Sequence, residues 1–205
     1  HGIPIYVNIR YPWTWHGVKP NPPVVPPDDP NNTVNAYRRE FDLPADWNGR
    51  RVLITFDGVN SFFYLWVNGQ KVGLGKDART PVEFELTKFV KPGKNLIAVE
   101  NFRWCDGSYL EDQDFWRLSG IFRDVYLWSP PPVHVRDFEV KTEFDAQYRD
   151  ATLEVSLSLD NRTAQPANCV VEAALLDAAR KVVARPAIEL RVAPDGQGSQ
   201  AKISQ

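Results

Sequence analysis

Three carboxylates stand within four positions of "GSYLEDQDFWRLSG" (residues 107–120): Glu111, Asp112 and Asp114. Phe115, Trp116 and Arg117 follow at once. Acids beside aromatic rings suit sugar chemistry. A retaining glycosidase needs two carboxyls roughly 5 Å apart, one held protonated by an apolar environment. Acids adjacent in one loop share an environment and titrate together, which argues against a catalytic dyad here. Two other roles stand open on the residues alone. One is a polar loop with Arg103, Arg117 and Arg123 as counter-ions. The other is a ligand or hard-cation site, because carboxylate oxygens suit Na⁺, Mg²⁺ or Ca²⁺.

Other chemistries lack their residues. No G-x-S-x-G occurs, and His1, His16 and His134 are scattered. No His/Cys/Asp cluster has transition-metal spacing. Gly73-Leu74-Gly75 has no helix behind it and is not a phosphate loop. Trp66, Trp104, Trp116 and Trp128 could stack on sugar faces, but tryptophans on strands usually fill cores. A net charge of −2 gives no reason to expect nucleic acid or an anionic membrane as partner. No apolar run reaches membrane-spanning length.

The elements that must position the acids are strands. "RVLITFDG" (51–58), "NLIAVENFRW" (95–104), "IFRDVYLW" (121–128) and "AYRREFDLP" (36–44) read as strands, the last ended by Pro44. "FFYLWVNGQKVG" (62–73) reads as a hairpin, because Asn68-Gly69 accepts the positive φ that a two-residue turn demands. Short helical turns are expected near 86–89 and within "SYLEDQDFWRL". The prolines of 12–30 predict either a stiff loop covering a sheet or a polyproline ligand, and Trp13 and Trp15 favour the loop.

A joint falls at "WSPPPVHV" (128–135), and no tryptophan follows its first residue, Trp128, the last of seven. Beyond it, period-2 runs such as "ATLEVSLSLD" predict an antiparallel sandwich with one wet face. The expectation is all-β: a jelly-roll sandwich over 1–129, then a partial immunoglobulin-like sandwich of four or five strands over 130–205. Cys105 and Cys169 fall in different domains, so reduced thiols are expected, in keeping with a bacterial cytoplasmic protein. Two N-x-Thr sequons, at Asn31 and Asn161, matter only in a secretory setting. The opening "HGIPIYVNIRYP" reads as mid-domain sequence, and with no Met in the chain it predicts a piece of a longer protein.

"DGSYLEDQDFWRLSGIFRDVYLW" resembles the sugar-binding domain of family 2 glycoside hydrolases, specifically the large bacterial β-galactosidases of the lac type. "PIYVNIRYP" (4–12), "NPPVVPPDDP" (21–30), "FDGVNSFFYLWVNGQKVGLGKDAR" (56–79) and "PVEFELTKFV" (81–90) resemble the same family in the same order. The resemblance implies a retaining hydrolase of terminal β-D-galactosides such as lactose, with both catalytic glutamates on a TIM barrel outside this chain. It implies no catalytic residue here and no hydrolysis by this chain alone. It implies substrate contacts from Asn8 and, more weakly, Ile9. Asp114 would contact the galactose 6-hydroxyl and a Na⁺ shared with the barrel. Asp106 matches a ligand of a second cation site, of the Mg²⁺ kind, but Lys76 stands where the family has an amide, and an ammonium repels a cation. The partners implied are the remaining domains of one enzyme and further copies in a homo-oligomer. A free-standing carbohydrate-binding module, a purely structural segment, and the β-glucuronidase and β-mannosidase branches are the competing readings.

Overall fold

The computed structural model describes residues 5–6, 25, 30–111, 116–194 and 199–204. The chain divides into two compact units, His1–Ser129 and Pro130–Gln205. It is all-β, a jelly-roll sandwich followed by an immunoglobulin-like one.

In the first unit, a four-stranded antiparallel sheet runs in the order Val34–Leu43, Gly93–Phe102, Phe62–Val67, Gln70–Gly75. A three-stranded sheet runs Val125–Trp128, Leu53–Phe56, Val82–Glu85. Phe63, Leu65, Val67 and Val99 of the first sheet and Ile54 and Phe56 of the second form one buried cluster with Leu43, Val52, Val59 and Leu86. Each such side chain contributes about 1.5–3 kcal/mol on burial. The strand Phe62–Val67 shows the period of two directly. Phe63, Leu65 and Val67 are buried, while Phe62, Tyr64 and Trp66 form a half-buried aromatic row on the other face. The Lys71 ammonium caps that row, 3.7 Å from the centre of the Tyr64 ring.

The Asn68-Gly69 turn forms as expected, with φ of 50° and 80°. The Asn68 side chain also binds outward. Its Nδ2 donates to Phe89 O (2.9 Å) and Asn95 Oδ1 (2.8 Å), and its Oδ1 accepts from Leu96 N (3.0 Å). One residue thus closes the hairpin and fastens it to the neighbouring strand and to the single helical turn at 86–90, where Phe89 and Val90 donate to Leu86 O.

Two segments depart from the sequence reading. "IFRDVYLW" is not one strand. Gly120–Ile121 pairs with Val59–Asn60, and Val125–Trp128 pairs with Leu53–Phe56. Between them Phe122 presses on Gly58, where a Cβ would lie 2.7 Å from Phe122 Cζ. "CVVEAALLD" breaks after Glu172, where Ala173 N turns to donate to Pro186 O.

The second unit holds seven strands among the described residues, more than the four or five expected. Val133–Phe144, Ala151–Asn161 and Ser199–Ser204 form one sheet, and Ala167–Glu172 pairs with Ala187–Val192. Leu175–Leu176 pairs with Val182–Ala184. Leu157 and Leu159 pack with Val192, with Cys169, Val171 and Leu190 beside them. Both cysteines are free; Cys105 is buried, as expected of a structural thiol, whereas Cys169 is only half-buried. Asn161 is buried, and its amide donates to Gln165 O and Val192 O, so this sequon asparagine serves the fold.

Candidate functional site around the acid-rich loop

Asn8, Ile9, Asp112 and Asp114 lie outside the described residues. What the structure describes is the frame on either side of them. The antiparallel pair Ile5–Tyr6 with Trp116–Arg117 sets Ile5 opposite Arg117 and Tyr6 opposite Trp116. This ladder ends two residues short of Asn8 on one strand and two residues past Asp114 on the other. Two residues of extended chain span at most about 7 Å. The segments carrying the two proposed substrate contacts therefore start from one point.

The acid loop begins at a helical turn, Gly107–Leu110. Asp106 caps it, its Oδ1 accepting from Gly107 N at 2.9 Å, which satisfies an amide that a helix start leaves free. Ser108 is buried beneath, where its Oγ accepts from Cys105 N (3.1 Å) and lies 3.3 Å from Ser61 Oγ. Tyr109 and Trp104 form a small buried pair with Val25, the described point of the proline-rich 12–30 stretch, packed against them. The Arg117 guanidinium is buried 5.3 Å from the centre of the Trp104 ring. Trp104 is therefore core, whereas Trp116 is 56% exposed.

A second segment, 76–80, grips this loop at three places. Lys76 Nζ sits 2.7 Å from each oxygen of Asp106. Ala78 N donates to Glu111 Oε1 at 2.9 Å. Arg79 Nη2 donates to Trp116 O at 3.2 Å. The last two contacts bracket 112–115, the stretch that carries Asp114. The gripping segment is held by its own turn, in which Asp77 Oδ1 accepts from Arg79 N (3.0 Å) and Thr80 N (3.2 Å). A hydrogen bond from the Thr80 side chain, and after it these two backbone bonds, hold the Asp77 carboxyl below its ordinary range.

For Glu111 and Arg123, the counter-ion expectation takes a different form from the one read in the sequence; Asp112 and Asp114 lie outside the described residues. Glu111 is met by a backbone N–H. The Arg123 guanidinium serves carbonyls, those of Arg79 (3.3 Å) and Asp57 (3.5 Å). Arg79 is the missed residue. Burial pulls its guanidinium below the ordinary value, Glu111 opposes that, and Arg123 and Arg117 add to it. The signal for it was the Asx-turn pattern of Asp77 two residues before Arg79, which the sequence reading passed over.

The Asp106 carboxyl lies below its ordinary range chiefly through the hydrogen bond from Lys76, and Lys76 lies above its own through the same bond. Among the described residues no three His, Cys, Asp or Glu side chains gather where they could hold a metal ion. A groove of about 680 Å³ lies elsewhere in this unit, lined by Tyr37, Phe41, Phe56, Val99, Tyr126 and Leu127 among others. It contains none of the acids.

Residues 1–131 match the family model for the glycosyl hydrolases family 2 sugar binding domain, and 133–204 match the glycosyl hydrolases family 2 model. The chain belongs to glycoside hydrolase family 2. Among curated relatives of this family-2 chain, a β-galactosidase of Vibrio cholerae is 47% identical over 182 residues, covering 89% of the chain and 17% of the relative. One of Priestia megaterium is 47% identical over 163 residues, covering 78% of the chain and 15% of the relative. The chain thus spans about a sixth of the length of these relatives. A β-glucuronidase of Bacteroides uniformis shares its fold with a TM-score of 0.74 at 19% identity, over 85% of this chain and 21% of that one. A putative β-galactosidase of Bacteroides fragilis does so at 0.69 and 21%, over 85% and 27%. At those identities the structures speak to fold alone.

Proposed function

We propose that this chain is the non-catalytic, substrate-side portion of a retaining β-galactosidase that hydrolyses terminal β-D-galactosides such as lactose. The observation that carries the reading is 47% identity over 182 residues to a protein named β-galactosidase. Chemistry by double displacement belongs to two carboxylates outside this chain. This chain supplies binding. Asn8 offers a donor and an acceptor to sugar hydroxyls, Ile9 lines the pocket with an apolar wall, and Asp114 accepts a hydroxyl proton. Asp114 also offers oxygen to a Na⁺, which opposes its charge and is shared with residues of the barrel. Mg²⁺ for the whole enzyme rests on residues beyond this chain. The ladder at Tyr6 and Trp116 supports one shared target, since Asn8 and Asp114 each stand two residues from it. Ala78 holds Glu111 and Arg79 holds Trp116, so the described residues on both sides of that stretch are tied to one segment. The working enzyme is a cytoplasmic homo-oligomer in this reading.

The test is turnover of a chromogenic β-galactoside. The enzyme carrying this chain hydrolyses it, and the purified 205-residue chain does not. Turnover by the isolated chain, lost on Asp114→Asn, would overturn the division of labour. An enzyme that prefers the β-glucuronide would overturn the substrate.

A further inference from the structure

The family resemblance implies a metal ligand at Asp106, and in this chain that carboxylate is already answered by a cation of the chain. Lys76 directly follows the strand Gln70–Gly75 and reaches across to the turn that Asp106 caps. Its Nζ stands 2.7 Å from both carboxylate oxygens, and Oδ1 also accepts from Gly107 N. A Mg²⁺ ion asks for six oxygens in near-octahedral order at about 2.1 Å. Here one carboxylate is on offer, and no further acids gather with it among the described residues. An ammonium holds the position from which a metal would approach, and the pair is already neutral. With the Lys76 ammonium in place, the residues do not fit a divalent ion.

We infer that the Lys76 ammonium takes the place of a metal ion at Asp106, making this corner of the sandwich independent of Mg²⁺. A metal joins two segments only while it is bound. A lysine joins them through covalent chain, and no chelator removes it. The consequence is a loop frame whose order does not track the metal supply. This inference concerns residues of this chain alone and does not depend on the substrate proposed above.

The amide of Gly107 reports directly, because it donates to Asp106 Oδ1. Magnesium chloride is titrated into the ¹⁵N-labelled 205-residue chain, with sodium chloride at matched ionic strength as control. In the unmodified chain the Gly107 cross-peak moves no further with magnesium than with sodium. In Lys76→Gln, which uncovers the carboxylate, a saturable magnesium-dependent shift appears, and adding Asp106→Asn abolishes it. Both side chains are half-exposed, at 46% and 58%, so the variants are chosen where packing is not at stake, and thermal melts confirm folding. A saturable shift in the unmodified chain that Asp106→Asn removes would overturn the inference. So would a Lys76→Gln chain as indifferent to magnesium as its parent.

Discussion

Tyr6 and Trp116 face each other across an antiparallel ladder that joins the two segments carrying the proposed sugar contacts. If Asn8 and Asp114 hold one galactose, their losses are coupled. In the enzyme carrying this chain, Asn8→Ala and Asp114→Asn each raise KM for a β-galactoside. The double variant departs from additivity by about 0.5 kcal/mol or more, as residues sharing a partner do. Additive effects would mean that the two segments serve different ends. A double-mutant cycle on kcat/KM decides it.

Glu111 bears on stability rather than on sugar. Its carboxylate accepts one partly buried N–H, that of Ala78. Glu111→Ala leaves that donor unmet and is expected to cost about 1–2 kcal/mol. Glu111→Gln keeps an acceptor oxygen and costs less. Urea midpoints of the chain give the order, and equal losses would point away from the Ala78 bond.

Asn68 separates turn conformation from side-chain bonding. Asn68→Ala loses three side-chain hydrogen bonds at about 1 kcal/mol each and puts a Cβ residue without local compensation at positive φ. Asn68→Gly loses the same bonds but tolerates the φ. The alanine variant is therefore the less stable, by about 1 kcal/mol. Thermal melts of the two side by side test it.

Gly75 is a packing position. A Cβ there would lie 2.2 Å from Phe63 Cε1, on a ring that is 1% exposed and fixed in the core. Gly75→Ala is expected to destabilise by about 1–3 kcal/mol or more through overpacking. The double variant Gly75→Ala/Phe63→Leu recovers part of the loss if the ring is the cause.

The Lys76–Asp106 pair gives stability a pH dependence of known sign. Asp106 titrates lower in the folded chain than in the unfolded one, so its contribution is present above the unfolded value and is lost as pH falls through the folded value. Lys76 titrates higher when folded, so its contribution is present below the unfolded value and is lost as pH rises through the folded one. Both side chains are roughly half-exposed, which keeps the effect under about 1 kcal/mol. Comparing acid-side melting curves of the chain and of Lys76→Gln isolates it. The difference between them should shrink toward the acid end.

These variants also mark what sequence carries. The Asn68-Gly69 turn was legible because its φ demand is local, and the strand ending at Pro44 for the same reason. The break within 121–128 was not, because it depends on Phe122 packing against Gly58, more than sixty residues away. Glu111 read as one more loop acid because its partner is a backbone amide brought near only by the fold. Resemblance alone singled out Asp114 from its neighbours and paired Lys76 with Asp106. Charge, spacing and periodicity gave neither.

The central claim is that this chain binds substrate and leaves the chemistry to other domains. Its most direct test is KM for a chromogenic β-galactoside against Na⁺ concentration, in the enzyme carrying this chain and in its Asp114→Asn variant. The account predicts a KM raised at least about tenfold, as loss of a charged hydrogen bond implies, with the Na⁺ dependence flattened. A variant with unchanged KM and unchanged Na⁺ response would contradict it.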